Sequence, residues 1–129
     1  MFEYTNINDP FIIHIFTFKG NICKEDVSNY KLAFKELLNG KKSFYIIFDT
    51  TEVSNFKMSY LMELFSFIMK FKDEMRKLTK GISVATNNIS KSAIDMVLKL
   101  SKPSIQTKVF NNLNDCINNT CELNQLNSY

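Results

Sequence analysis

Few residues in this sequence have types and spacing that could perform chemistry. His14 is the single histidine of the 129 residues, and it lies between two isoleucines in an apolar run. A catalytic histidine needs an orienting partner and access to substrate, so this context predicts a half-buried strand residue instead. Cys23, Cys116 and Cys121 form no C-x-x-C or other metal-binding spacing. We expect inert thiols in a reducing, cytoplasmic compartment.

A second candidate cluster is the acidic and hydroxyl-bearing run Asp49, Thr50, Thr51 and Glu52, which directly follows an apolar strand pattern. In open α/β sheets, ligands bind at the carboxyl ends of the strands, where these groups could hold a cation or a polar ligand. Alternatively, Asp49 caps a loop and Glu52 is solvated, which is the interpretation we favour. No glycine-rich phosphate-binding loop occurs. The sequence therefore predicts no catalytic residue, no metal site and no cofactor.

The composition indicates one folded domain spanning residues 1–129. Hydrophobic residues make up 45% of the chain and aromatic residues 13%, which is enough to bury a core without disulfides or metals. The net charge is +3 and no run of five basic residues occurs, so we expect no nucleic-acid binding. The longest apolar stretch, Tyr60–Phe71, contains Glu63 and Lys70 and is too short to insert across a membrane.

Apolar periodicity predicts an α/β domain with about four helices in the order β-β-α-β-α-β-α-β-α. Alternating strands and helices indicate a mostly parallel sheet, and the polar tail after about Glu122 is expected to fray. The predicted strands are Phe2–Thr5, Phe11–Phe18, Ser43–Phe48, Gly81–Thr86 and Ile105–Phe110. The predicted helices are Val27–Leu38, Lys57–Thr79, a helix capped by Ser90 or Ser92 that ends at Leu100, and a helix capped by Asn112 with Asp115. A loop is predicted at Thr50–Phe56.

The predicted helix Lys57–Thr79 is apolar over more than half of its circumference, whereas a surface helix usually has an apolar arc of about 100° or a little more. The additional apolar arc must be buried by neighbouring helices or by a partner chain, and methionines and aromatic residues are enriched in such contacts. The flanking side chains are Met58, Met62 and Met69 on one side and Tyr60, Phe67 and Phe71 on the other.

The order and spacing of four segments resemble the STAS or SpoIIAA-like domains, the fold of anti-sigma-factor antagonists. Phe16–Ile22 is similar to that family's strand ending in a glycine turn, and Tyr45–Asp49 is similar to its central strand. Ile82–Ala85 with the following serine-capped helix resembles its third βα unit, and Lys108–Ile117 resembles its closing strand and helix. The resemblance covers nearly the whole chain and implies a single STAS-like domain.

The phosphorylation motif of the bacterial switch members of that family, D-S-[ST]-G-L, is missing from this chain. The corresponding residues are Lys57–Leu61, where Met58 occupies the phospho-acceptor position and Ser59 follows it. The family's phosphoswitch therefore does not carry over. A phosphate on Ser59 would be tolerated near a helix N-terminus, but an unmodified first-turn serine is the simpler interpretation.

In the resembling family, the helix after the central strand and the loop before it form the partner-binding face. We therefore expect a non-catalytic interaction domain that docks a protein partner, or a second copy of itself as a homodimer, through residues 50–71. The alternative is a small-molecule or lipid-binding domain with an apolar pocket under the long helix. The residues expected to bind a partner are Thr50, Thr51, Lys57, Met58, Ser59, Tyr60, Met62, Phe67 and Phe71.

Overall fold

The structure is a computed structural model, and it describes residues 1–88, 90–101 and 107–127. These residues form five strands and five helices. In chain order the elements are β1 (Phe2–Ile7), β2 (Ile13–Asn21), α1 (Lys24–Leu37), β3 (Phe44–Asn55), α2 (Met58–Lys70), α3 (Lys72–Leu78), β4 (Thr79–Thr86), α4 (Lys91–Ser101), β5 (Thr107–Phe110) and α5 (Leu113–Asn127).

The five strands form one sheet in the order β1-β2-β3-β4-β5. The pair β1–β2 is antiparallel and the other three pairs are parallel. This arrangement confirms the predicted class, a mixed and mostly parallel sheet that begins with a hairpin. Neighbouring parallel strands are joined by right-handed crossovers. Because the strands follow one another across the sheet in sequence order, the crossover helices α1, α2 and α4 lie on the same face.

The hydrophobic core has a layer on each face of the sheet. On the first face, the aromatic side chains of β2 and β3 pack against α1 to α4; on the second face, alternate residues of the same strands pack against α5. This alternation follows from the two-residue period of a strand. The first layer includes Phe16, Phe18, Ile46, Phe48, Tyr30, Phe34, Leu64, Ile94 and Val97, and the second includes Ile13, Ile15, Tyr45, Ile47, Ala85 and Cys116.

The predicted loop Thr50–Phe56 is wrong, because β3 continues to Asn55 and still pairs with β2 there. Val53 is buried in the first core layer, and β-branched residues such as valine and threonine favour an extended backbone. Asp49 had indicated the end of the strand because it interrupts the apolar run. In the structure it remains within the ladder, opposite Thr17 and Ala85.

The predicted continuous helix Lys57–Thr79 is instead two helices, α2 and α3, that meet at Phe71. This residue has φ −110° and ψ 27°, outside the helical region, and its N–H is directed to the carbonyl of Ile68. The Phe71 ring packs on Phe67 and Phe34 at centroid distances of 5.2 and 6.2 Å. After the break, α3 places Met75 in the core. Periodicity alone did not indicate the break because no proline or glycine marks it.

The C-terminal unit contains both a confirmed and a corrected prediction. The Asp115 N–H donates to Asn112 Oδ1 at 2.8 Å, and Asn112 Nδ2 donates to Asp115 Oδ2 at 3.1 Å, so the predicted cap is present. The helix then continues to Asn127 rather than fraying after Glu122. The predicted strand Ile105–Phe110 is observed from Thr107, and its first two residues lie outside the described part of the chain.

Candidate interaction surface

Helix α2 covers the centre of the sheet and exposes one edge of its apolar arc. Its N-terminal turn begins at Met58, after Lys57 in an extended conformation. Leu61, Leu64 and Ile68 face the sheet and are buried. The helix contacts α1 on one side and α4 on the other, and its outer side presents the exposed polar residues Ser59, Glu63, Ser66 and Lys70.

Four side chains on the side of α2 that faces away from α1 form an apolar stripe. Met58 is 40% exposed, and Met62, Phe65 and Met69 are each partly exposed. Their spacing of four, three and four residues places them on one face of the helix. We call these four residues the methionine stripe. Met96, on the adjacent helix α4, is 54% exposed and adds a further flexible apolar side chain.

Two of the residues expected to bind a partner are buried inside the folded domain, so their side chains cannot contact a partner. Thr50 is 4% exposed, and its Oγ1 donates to the carbonyl of Ala85 at 2.8 Å, which joins β3 to β4. Phe67 is 7% exposed and packs edge-on against Phe34 at 5.7 Å. Phe67 is covered by α1, and Thr50 lies in β3 beneath α2, so neither side chain is exposed to a partner in this structure.

The remaining expected residues have different environments. Met58 and Met62 belong to the methionine stripe. Lys57 and Ser59 are exposed at the start of α2, and the Lys57 ammonium lies 5.7 Å from the ring centroid of Tyr60. Tyr60 is partly buried, and so is Phe71, which packs between α1 and α2 as described above. Of the residues expected to bind a partner at the start of α2, Lys57, Met58 and Ser59 are exposed, and Tyr60 and Met62 are partly exposed.

Thr51 and its neighbours at the carboxyl end of β3 form a network whose polar groups bond to one another. Asp49 Oδ1 accepts hydrogen bonds from the N–H and Oγ1 of Thr51, at 3.1 and 2.8 Å. The Asn87 side-chain amide donates to the carbonyls of Thr51 and Val53, at 3.1 and 2.8 Å. Glu52 is solvated and pairs with Lys19 at 3.6 Å. These contacts connect β3 to the segment after β4. Glu52 is solvated, as expected, whereas Asp49 lies within β3 and does not cap a loop.

An apolar cavity lies beneath α2, where the alternative prediction placed a ligand pocket. Its volume is about 20 Å³, which is close to the space needed by one water molecule. Small-molecule sites usually have about 300–1,000 Å³, so in this conformation the cavity does not accommodate a lipid. Its lining residues are Phe18, Phe48, Thr50, Phe56, Leu61, Leu64, Phe65, Ile68, Val84 and Ile94.

The titratable candidates do not form a catalytic pair within the described residues. His14 is partly buried, as predicted, and burial lowers its pKa. Cys116 is fully buried, and this burial, together with the negative charges of Asp49 and Asp115, raises the pKa of its thiol to about 12. The Cys23 thiol donates to Asp26 at 3.2 Å in a capping box at the start of α1. A thiol as deeply buried as that of Cys116 is a poor nucleophile.

The described residues, 1–88, 90–101 and 107–127, contain neither a metal-binding group nor a membrane-spanning helix. No group of three or more His, Cys, Asp or Glu side chains there could hold a metal ion. No helix in the same ranges is long and apolar enough to cross a membrane.

Phe65 was not among the residues expected to bind a partner. It is partly exposed at the edge of the core, and its ring lies 6.4 Å from the Phe48 ring. The four-three-four spacing of Met58, Met62, Phe65 and Met69 was the available signal.

The architecture is similar to that of a solved protein structure. The crystal structure of an uncharacterized protein of the DUF3478 family from Shewanella loihica PV-4, described as having a SpoIIAA-like fold, matches with a TM-score of 0.61 and 15% identity. The match covers 92% of this chain and 90% of that chain. The chain therefore has a SpoIIAA-like fold, which confirms the resemblance seen in its sequence. No family model and no curated protein sequence matches the chain.

Proposed function

We propose that this chain is a non-catalytic, STAS-like docking domain that binds a protein partner through the methionine stripe and the exposed start of α2. The observation that carries the proposal is the partial exposure of Met58, Met62, Phe65 and Met69 on one face of a single helix. Methionine side chains are flexible and polarizable, and they recur at surfaces that accept apolar partner segments.

The surroundings of the stripe favour a protein partner over a small ligand. The cavity under α2 has about the volume of one water molecule. A ligand would therefore have to separate α2 from the sheet to enter it. A partner can instead cover the stripe from outside without moving α2. A SpoIIAA-like fold of uncharacterized function is compatible with such a role, although fold alone does not define function. We place the domain in the cytoplasm, where its three free thiols would stay reduced.

The partner is either another protein or a second copy of this chain, and sedimentation velocity separates the two. If the stripe forms a homodimer, the wild-type chain sediments as a dimer at about 100 μM, and the variant Met58→Glu shifts it to monomer. If the partner is another protein, the wild-type chain is monomeric and the same variant loses that partner in affinity capture from the native cells.

The matched control is Leu32→Glu, which changes an exposed apolar side chain of α1 that is 65% exposed and outside the stripe. Both substitutions add one negative charge at an exposed position. An unchanged melting temperature shows that each variant is folded. Loss of association in Met58→Glu with retention in Leu32→Glu supports the proposal. An equal loss of association in both variants, or no loss in either, contradicts it.

A further inference from the structure

A second open feature lies where the turn between β1 and β2 approaches the turn between α1 and β3. The groove there has a volume of about 430 Å³, within the range of about 300–1,000 Å³ found for small-molecule sites. Its lining residues are Asn8, Ile12, His14, Glu36, Leu37, Gly40, Lys41 and Lys42.

A chain of side-chain hydrogen bonds fixes the imidazole of His14 at this groove. Asn8 Nδ2 donates to Asn6 Oδ1 at 3.1 Å, and Asn6 Nδ2 donates to the Tyr4 hydroxyl oxygen at 3.3 Å. The Tyr4 hydroxyl oxygen lies 2.6 Å from His14 Nδ1, and we assign the hydroxyl as the donor because a phenol donates more strongly, and accepts more weakly, than an imidazole nitrogen. Because Nδ1 then accepts, a neutral His14 ring carries its proton on Nε2.

Two ring contacts hold the imidazole in place. The Tyr4 ring stacks on it at 5.8 Å with an interplanar angle of 24°, and the Phe44 ring meets it edge-on at 4.9 Å. Burial lowers the pKa of His14, so the ring is neutral near pH 7. In this assignment Nε2–H is a neutral donor, and no hydrogen bond from it is formed among the described residues.

The charges at the groove are unequal. Lys41 and Lys42 contribute two ammonium groups on exposed residues, and Glu36 contributes one carboxylate. The carbonyl groups at the end of α1 would also favour a cation, but the carbonyls of Glu36 and Leu37 accept the N–H groups of Asn39 and Gly40. The net charge of the lining residues is positive, while Ile12 and Leu37 supply an apolar wall.

We propose that this groove binds a small carboxylate with a short apolar tail. The carboxylate accepts the Nε2–H of His14 and pairs with Lys41 and Lys42, and the tail lies on Ile12 and Leu37. A carboxylate fits because the fixed imidazole and the two ammonium groups are all donors. This site is independent of the methionine stripe.

The test uses the full chain labelled with ¹⁵N and ¹³C, in which the single histidine gives one set of imidazole signals. The free protein is expected to show the Nε2–H tautomer. Titration with sodium hexanoate is expected to shift these signals saturably, with a dissociation constant on the order of 1 mM for so small a ligand. Hexan-1-ol and acetate, which lack the charge and the tail respectively, should each bind about tenfold more weakly or worse.

The variant Lys41→Gln/Lys42→Gln is compared with Lys91→Gln/Lys99→Gln, which removes the same charge from α4 outside the groove. We expect about a fivefold or greater loss of hexanoate affinity in the first variant, given the modest strength of exposed ion pairs, and none in the second. Thermal melts of both variants establish that they are folded. An Nδ1–H tautomer, hexan-1-ol binding as tight as hexanoate binding, equal losses in the two variants, or no saturable shift would each overturn the proposal.

Discussion

The hydroxyl of Tyr30 provides the sharpest test of the packing of the core. Tyr30 is fully buried, and its hydroxyl has no hydrogen-bond partner among the described residues. Burial raises the pKa of the phenol well above its usual value. Six aromatic rings surround it at centroid distances of 5.5–6.1 Å, namely Phe2, Phe16, Phe18, Phe34, Phe48 and Phe67.

The substitution Tyr30→Phe keeps this ring packing and removes only the unpaired hydroxyl. An unsatisfied buried polar group costs about 1–3 kcal/mol, so the variant should be more stable than the wild type by about 1 kcal/mol or more. For a chain of this size that corresponds to a rise in melting temperature of about 3–5 °C. The assay is urea unfolding followed by circular dichroism, with the free energy extrapolated to water.

Tyr45→Phe is the matched control. Tyr45 is also buried in the core, but its hydroxyl donates to Asn124 Oδ1 at 3.5 Å. Removing this hydroxyl should destabilise the protein by about 0.5–1.5 kcal/mol. A loss of more than about 1 kcal/mol in Tyr30→Phe would refute the reasoning, because it would mean that the Tyr30 hydroxyl has a partner in solution.

Three further predictions follow from buried groups. Native protein should react with two equivalents of a thiol reagent, and the third thiol, Cys116, should react only after unfolding, because it is fully buried; three fast thiols would contradict this. Because the folded pKa of His14 is lowered, its contribution to stability is full above the unfolded value of about 6.5 and declines as pH falls through the folded pKa. His14→Gln should flatten the pH profile of urea unfolding below about pH 6.5, and an unchanged slope would exclude the effect. Gly81→Ala would place a Cβ 3.2 Å from Tyr45 Cδ1 and 3.3 Å from Leu123 Cδ1, so we expect a loss of about 1–3 kcal/mol; an equally stable variant would show that α5 can shift.

The sheet and its helices could be predicted from sequence because local patterns specify them. The apolar run at Tyr45–Phe48 indicates a strand covered on both faces, and the Asn112–Asp115 pair gives the start of α5. The extension of β3 to Asn55 could not be predicted in the same way. It depends on pairing with β2, which is separated from it by a whole helix, and the polar residues 49–52 resemble a turn when considered alone.

The surface was harder to predict than the fold, because exposure depends on which helices become neighbours. The apolar arc of α2 was evident from sequence, but the parts of it that become buried were not. The structure assigns Phe67 to the interior through its contacts with α1, whereas Met62 stays partly exposed. The hydrogen-bond chain that ends at His14 was likewise invisible, because it requires the register that places Asn6 opposite His14.

The central claim is that the methionine stripe contacts a protein partner, and site-specific photo-crosslinking in the native cells tests it most directly. A photoreactive residue is introduced at Met62, within the stripe, and in parallel at Leu32, which is exposed on α1 outside it. The account predicts a discrete crosslinked species from position 62, identifiable by mass spectrometry as one protein or as a second copy of this chain, and none from position 32. The same crosslinks from both positions, or no crosslink from position 62 while the chain stays folded, would contradict it.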